Sequence, residues 1–417
     1  MSFSSLRLIV VGLMGTALLA GGCGDDKATA TLPTLTPASG LAVVNSDFKG
    51  STSISLLDPT TRALVRDDCI NSGTTSATLS QTLSGDVTLP SQPQPGNELA
   101  LIDRGNSAIT WLDPMTCLVK RQLSVKTGFE SNPKDLVAIS ASKAYVPRYE
   151  TNTAPGAQPN DGGDDLLIID PTAATILGRI EMAPHAAPVE GKTIFARPDR
   201  ALLADNKVFV TLNSMDEKFA ASGEGRLVVV DPATDQVTGV LPLTGMKGCS
   251  AMEYVAASKT LMVVCGGFFL DADQGAASGV VVVDVATPPA VKTTLPASAV
   301  SGGQPLNFSS IVAISSSVVL VGAIGRFADA TNNVEGVPDA LLQLDPSTGT
   351  VTKLMDAGAF ELGRGAGSSA MAMIPQGSTK QPRVQVFTVS AAGSVTKSGD
   401  LDPNPAHGLP PREIAWY

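Results

Sequence analysis

From residue 41 to residue 417, the chain alternates short apolar runs with polar, turn-forming punctuation. One kind of punctuation recurs. VVVDPATDQVTG, at 228–239, sets three β-forming valines before an Asp-Pro turn and another apolar position after it. LLDPTTRALV, WLDPMTCLVK, IIDPTAATIL and QLDPSTGTVT share that shape. Asp accepts hydrogen bonds from turn backbone and Pro presets φ, so each reads as a tight turn between two strands. In register, the aspartates are Asp58, Asp113, Asp170, Asp231, Asp284 and Asp345; VFTVSAAGSVTK puts Val389 in the same place. Successive separations are 55, 57, 61, 53, 61 and 44 residues. Asp284 keeps the Asp but is followed by Val285.

Each unit also has an upstream half. LAVVNS (41–46), LALIDR (99–104), KAYVPR (143–148), KVFVTL (207–212), TLMVVC (260–265) and SVVLVG (317–322) precede the Asp-Pro hairpins. Further runs such as DLVAIS (135–140), MEYVAA (252–257) and SIVAIS (310–315) precede most of these. With strands named a, b, c and d, the Asp-Pro turn joins c to d. Four antiparallel strands repeating about every 50 residues predict a β-propeller. The expected fold is all-β: one seven-bladed domain over 41–417, with rings of six or eight blades as alternatives. Blade 1 lacks a strand a, and PPREIAWY (410–417) reads like one. The C-terminal strand is therefore expected to complete blade 1, removing an open sheet edge. That puts Trp416 in blade 1, beside the Trp111 of blade 2. Blade 7 is short and its strands are hard to assign.

The composite PKDLVAISASKAYVPR…LLIIDPTAATILGRI resembles the YVTN-type repeats of bacterial cell-surface seven-bladed propellers. The resemblance implies a fold and no particular activity.

Bulk composition narrows the classes. With 43% hydrophobic residues the chain is far too apolar for disorder, and 40 Gly with 29 Pro suits short strands and turns. Lys plus Arg number 29 against 39 Asp plus Glu, so no basic nucleic-acid footprint exists. Aromatics at 4% disfavour glycan stacking.

The first residues read MSFSSLRLIVVGLMGTALLAGGC. Arg7, a short apolar core and small residues make a signal peptide over 1–22. Leu19-Ala20-Gly21-Gly22-Cys23 resembles the lipobox of bacterial lipoproteins, with Ala20 in place of the commoner Leu. The resemblance implies cleavage before Cys23, a diacylglycerol on its thiol and, with Gly24 following, an outer-membrane anchor facing the periplasm or the cell surface. Residues 23–40 then form a flexible tether.

Strand parity assigns the faces. The b–c loops and d–a connections emerge on one face; the a–b and c–d turns emerge on the other. Long b–c loops are expected at Tyr149–Asp165, Asn213–Gly225, Gly266–Gly279 and Gly322–Asp339. They carry twelve acidic residues against Lys218 and Arg326. After loss of Arg7 the chain has 28 basic against 39 acidic residues, a net −11, so these loops formally hold nearly all of it. An acidic rim recruits cations or basic partners. Phe219, Phe268, Phe269 and Phe327 sit among the charges. The candidate partner-binding residues are Phe219, Phe269, Asp271, Asp273, Arg326 and Phe327, for a basic protein or a cationic small molecule. The alternative is that the acids keep the loops soluble and the rings tuck beneath them.

Metal and catalytic signals are sparse. Asp271-Ala272-Asp273-Gln274-Gly275 and Asn160–Asp165 faintly suggest Ca²⁺ loops, without an EF-hand spacing. Only His185 and His407 occur, and no zinc, haem or nucleophile-elbow pattern is present. No catalytic residue, resident cofactor or metal ligand is assigned. Some propellers are Ca²⁺-dependent lactonases or esterases with Glu, Asn and Asp around the axis. By that resemblance Glu130, Asn132 and Asn307 are candidates. After Cys23, four cysteines remain, and an exported compartment favours pairing. Cys249 and Cys265 flank an a–b hairpin and face each other across two strands. Cys69 and Cys117, assigned to d strands of neighbouring blades, pair by elimination; four free thiols are the alternative. The leading expectation is a non-enzymatic, monomeric, lipid-anchored propeller that binds through one face. A Ca²⁺-dependent hydrolase and a structural envelope protein are the alternatives.

Overall fold

A computed structural model describes residues 40–417. The leader, Cys23 and the tether as far as residue 39 lie outside the described residues. Seven antiparallel sheets of four strands follow one another around a ring. Blade 2 runs from Val87–Thr88 to Val119–Ser124, blade 3 from Val137–Ser140 to Thr175–Glu181, and blade 4 from Pro198–Ala204 to Gln236–Leu243. Blade 5 runs from Cys249–Val255 to Ala290–Pro296, and blade 6 from Leu306–Ser315 to Thr350–Ala357. Blade 7 is complete: Ala366–Ser368, Met371–Gln376, Arg383–Val389 and Val395–Leu401. Its Asp-less turn, after Val389, is a c–d turn like the others.

The C-terminal strand closes the ring. Pro411–Trp416 pairs with Leu41–Ser46, Leu41 facing Trp416 and Val43 facing Ile414. Thr52–Asp58 and Ala63–Asn71 complete blade 1.

The inner strands are apolar on both faces because each blade is sandwiched between two others. Side chains alternate across a strand, so successive residues serve different neighbours. Leu41 and Val43 pack toward blade 7 with Met373 and Val384; Ala42 and Val44 pack toward blade 2 with Leu99 and Leu101. The same division recurs at each blade-to-blade contact. Fully burying a Val or Leu contributes roughly 1.5–3 kcal/mol, so these contacts are what holds the ring together. The outer d strands are mostly exposed, as in Ala63–Asn71 and Val395–Leu401.

The Asp-Pro turns share one geometry. Asp58 Oδ1 accepts the amides of Thr60 (2.7 Å) and Thr61 (3.2 Å), and Asp170 Oδ1 those of Thr172 (2.9 Å) and Ala173 (2.8 Å). Four residues after the Asp, Arg62, Cys117, Ala174 and Asp235 hold positive φ, and Gly349 does so in blade 6. Gly349 suits that conformation best and Asp235 tolerates it, whereas Arg62, Cys117 and Ala174 do not favour it.

Both expected disulfides are present. Cys249 and Cys265 are direct cross-strand partners. Cys69 bonds Cys117, which lies in the c–d turn of blade 2 rather than on its d strand. The bridge staples the outer part of blades 1 and 2. Two disulfides point to an extracytoplasmic protein. No helix among the described residues is long and apolar enough to cross a membrane. The two tryptophans do not meet: Trp111 is buried between blades 2 and 3, while Trp416 packs between blades 1 and 7 and donates Nε1 to Gly367 O at 3.1 Å.

Candidate functional site

The b–c loops and d–a connections share a face, as strand parity requires. The loop between strands b and c of blade 3 is shorter than expected, because those strands extend through Thr151 and from Gly163. This places Glu150, Asp164 and Asp165 on strands.

Most acids of the expected rim are occupied by the fold itself. Asp165 is fully buried and binds Arg148 through both oxygens, at 2.8 and 2.7 Å. Asp164 accepts the amides of Ala196 (2.8 Å) and Arg197 (2.6 Å) at the entry to blade 4. Burial nevertheless pushes its carboxyl up to about 6. Asp339 accepts four amides, those of Gly325, Phe360, Glu361 and Leu362, and so fastens the loop of blade 6 to the segment entering blade 7. Asp161 is held below the usual range by the amides of Gln158, Gly156 and Ala157. At Asp216 the amides of Ala221 and Ala220 outweigh an opposing burial effect. Glu150 pairs with Arg197, Asp271 with Lys247 (2.9 Å), and Asp273 caps the turn 274–277 through Ala276 N.

The nominated aromatics separate into two groups. Phe219 tucks under the loops. It stacks on Tyr149 and lies 4.3 Å from the buried Arg197 guanidinium. Phe268 is buried too. Phe269 and Phe327, by contrast, are 59% and 69% exposed. Phe269, Asp273 and Arg326 line one groove of about 750 Å³ between blades 5 and 6, together with Phe308 and Phe360. Phe327 sits against Phe360, ring centroids 5.2 Å apart. Asp271 is two positions from Phe269, beside its Lys247 partner. Five of the six candidates thus gather around one groove, and Phe219 does not join them.

Phe308 and Phe360 were not nominated, although both are about half exposed or more. Phe308 projects from strand a of blade 6. Phe360 belongs to the d–a connection after blade 6. Strand parity puts d–a connections on the loop face, so that signal was available for Phe360; nothing marks Phe308.

The axis is crossed by a segment that ordinary blade spacing does not foretell. Strand a of blade 2 stops at Thr88, and Leu89-Pro90-Ser91-Gln92-Pro93-Gln94 runs across to the other blades. Ser91 donates from N and Oγ to Asp135 of blade 3 (2.8 and 2.5 Å). The Gln92 amide exchanges two bonds with the Leu203 backbone of blade 4. Arg364 of blade 7 donates to Leu89 O (3.0 Å) and Pro90 O (2.7 Å) and pairs with Glu413 of blade 1. Glu413 also accepts Thr88 Oγ1 and Leu89 N. Burial opposes ionisation of Glu413, but Arg364 and Arg200 hold its carboxyl below the usual range.

The remaining candidates are dispersed. Glu130 pairs with Lys126, Asn132 bonds Glu150 (3.4 Å) and Asn307 bonds Leu362 O (2.7 Å). His407 contacts Asp68 (2.9 Å), and His185 accepts Arg226 through its carbonyl (3.0 Å). Among the described residues no three His, Cys, Asp or Glu side chains converge as a metal site requires.

No family model matches the sequence, and no curated protein does. Solved structures do. A putative 6-phosphogluconolactonase from Bacteroides uniformis superposes with a TM-score of 0.55 at 11% identity, over 91% of this chain and 100% of the other. A protein from Lactobacillus plantarum gives 0.55 at 11%, over 91% and 99%. Hydrazine synthase from Kuenenia stuttgartiensis gives 0.53 at 10%, over 88% and 99%. These likenesses establish the fold alone. The putative lactonase and the hydrazine synthase differ in activity while the ring is shared, as expected of a scaffold that hosts many functions.

Proposed function

We propose that the protein is a lipid-anchored envelope propeller that binds a protein partner through the groove of blades 5 and 6. The observation that carries this reading is the exposed cluster of Phe269, Phe308, Phe327 and Phe360 on the loop face. Contiguous exposed apolar surface of this kind marks interaction sites. The rim adds Asp271, Asp273, Asp329 and Glu335, so the fitting partner presents an apolar or aromatic side chain flanked by basic ones. Arg326 supplies one countercharge for orientation.

Chain entry agrees with this arrangement. Gly40 accepts Tyr417 N at 3.1 Å on the turn face. A lipid on Cys23 would tether the ring by the face opposite the groove, leaving the groove open to a partner.

The test is photo-crosslinking in cells. A photoreactive side chain at position 327 is expected to give an adduct that disappears with Phe269→Asp. The same side chain at position 62, on the turn face, is expected to give none. Identical adducts from both positions would sink the reading. Separately, Cys23→Ser is expected to move the protein from the membrane to the soluble fraction.

A further inference from the structure

The turn face holds a second site. Strands a of blades 4, 5, 6, 7 and 1 surround a cavity of about 490 Å³ at the axis, within the ~300–1,000 Å³ range of small-molecule pockets. The Ser91-Gln92-Pro93 crossing and Arg364 line it alongside those strands. Apolar residues such as Leu202, Ala204, Val312 and Ile414 line it with Tyr254 and Trp416, and Gln92, Asp205 and Asn206 add polar groups.

One carboxylate enters this space without a partner. Glu253, from the innermost strand of blade 5, receives no hydrogen bond or ion pair from any described residue. It is half-buried and lines the cavity. Burial pushes its carboxyl up to about 7, against a partial opposing effect of Arg364.

The surrounding charges explain why no cation of the protein serves it. Arg364 turns to Glu413 and to the Leu89 and Pro90 carbonyls, and Arg200 faces Glu413, Thr88 and Leu89. Asp135 takes the amides of Ser91, Leu136 and Ala201. At the mouth, Asp205 pairs with Lys259. Blade 6 contributes only Val312 and Ala313. The two arginines are engaged by Glu413 and by backbone carbonyls, and neither hydrogen-bonds or ion-pairs with Glu253.

We infer that the axial cavity binds a small organic cation, an ammonium group on an apolar body, with Glu253 as the anionic contact. An incoming ammonium neutralises the carboxylate, and the apolar residues of the lining accept the rest. Ligand binding and ionisation of Glu253 are therefore linked.

The experiment is titration calorimetry of the whole protein with 2-phenylethylammonium and with its neutral isostere 2-phenylethanol. The ammonium is expected to bind at least about tenfold tighter, and Glu253→Gln to abolish that preference. Affinity is expected to fall about tenfold between about pH 8 and pH 6, as Glu253 takes up a proton. Phe327→Ala, on the other face, leaves these values unchanged, which separates this inference from the groove. Equal binding of the two probes, retained preference in Glu253→Gln, or no ammonium binding at millimolar concentration would each overturn it.

Discussion

Both faces of the ring are rich in aspartate, and the two sets do different work. On the turn face, Asp58, Asp113, Asp170 and Asp345 bond amides only two or three residues ahead. On the loop face, Asp164 reaches Ala196 and Arg197 at the entry to the next blade, and Asp339 reaches residues 360–362. The first set shapes local turns; the second fastens one blade to another. Formal charge does not distinguish them. Much of the acidity assigned to a rim is therefore internal, and the exposed phenylalanines distinguish the loop face better than charge does.

The largest effect is expected from a buried loop-face acid paired across two strands of blade 3. Arg148→Met leaves Asp165 buried without its main cation, costing roughly 3–5 kcal/mol in denaturant melts. Adding Asp165→Leu is expected to recover much of that loss. If the single variant melts like the parent, the buried Asp165 pair is not structural.

Glu253→Gln tests the turn face with the opposite sign. A raised carboxyl binds a proton more tightly when folded, so it favours folding at low pH. Its contribution is lost as pH climbs from the ordinary carboxylate range through about 7. Above that pH the substitution is expected to stabilise by about 1–3 kcal/mol, and below about pH 4 to have little effect. A pH-independent difference in thermal melts would contradict the assignment.

Smaller effects belong to the local turns. Asp231→Ala removes the bonds to Ala233 N and Thr234 Oγ1 and is expected to cost about 0.5–1 kcal/mol, the low end for exposed hydrogen bonds. At Asp58 and Asp113, turn amides hold the carboxyls below their usual range. Their support is thus present at neutral pH and fades as pH drops through those lowered values. Ala174→Gly relieves a left-handed alanine at the cost of a freer unfolded chain, for a net gain of a few tenths of a kcal/mol.

Much of the fold was legible because propeller blades write locally. KVFVTL coincides with Lys207–Leu212 and LAVVNS with Leu41–Ser46. Strand parity gave the faces, the strand a missing from blade 1 pointed to the closing strand, and the positions of Cys249 and Cys265 about one hairpin gave their pairing. Blade 7 was obscure because its Asp is replaced at Val389 and its first strand, Ala366–Ser368, is only three residues long. The groove was partly legible: Phe269 and Phe327 were marked by their loops, whereas Phe219 looked the same in sequence and is tucked against Arg197. The distinction depends on what lies above each ring, a contact between distant segments.

Periodicity, turn chemistry and alternation by themselves determined the ring and the sidedness of its connections, and the complete seventh blade fixed the count. These features depend on neighbours along the chain. Tertiary structure alone decided which acids are buried, which phenylalanines are exposed, and that Leu89–Gln94 crosses the axis. It also left Glu253 facing the axial cavity without a hydrogen-bonded or ion-paired partner among the described residues. Those outcomes depend on strands from five or more blades meeting at the centre of a closed ring, and no local pattern encodes which side chain will find its partner there.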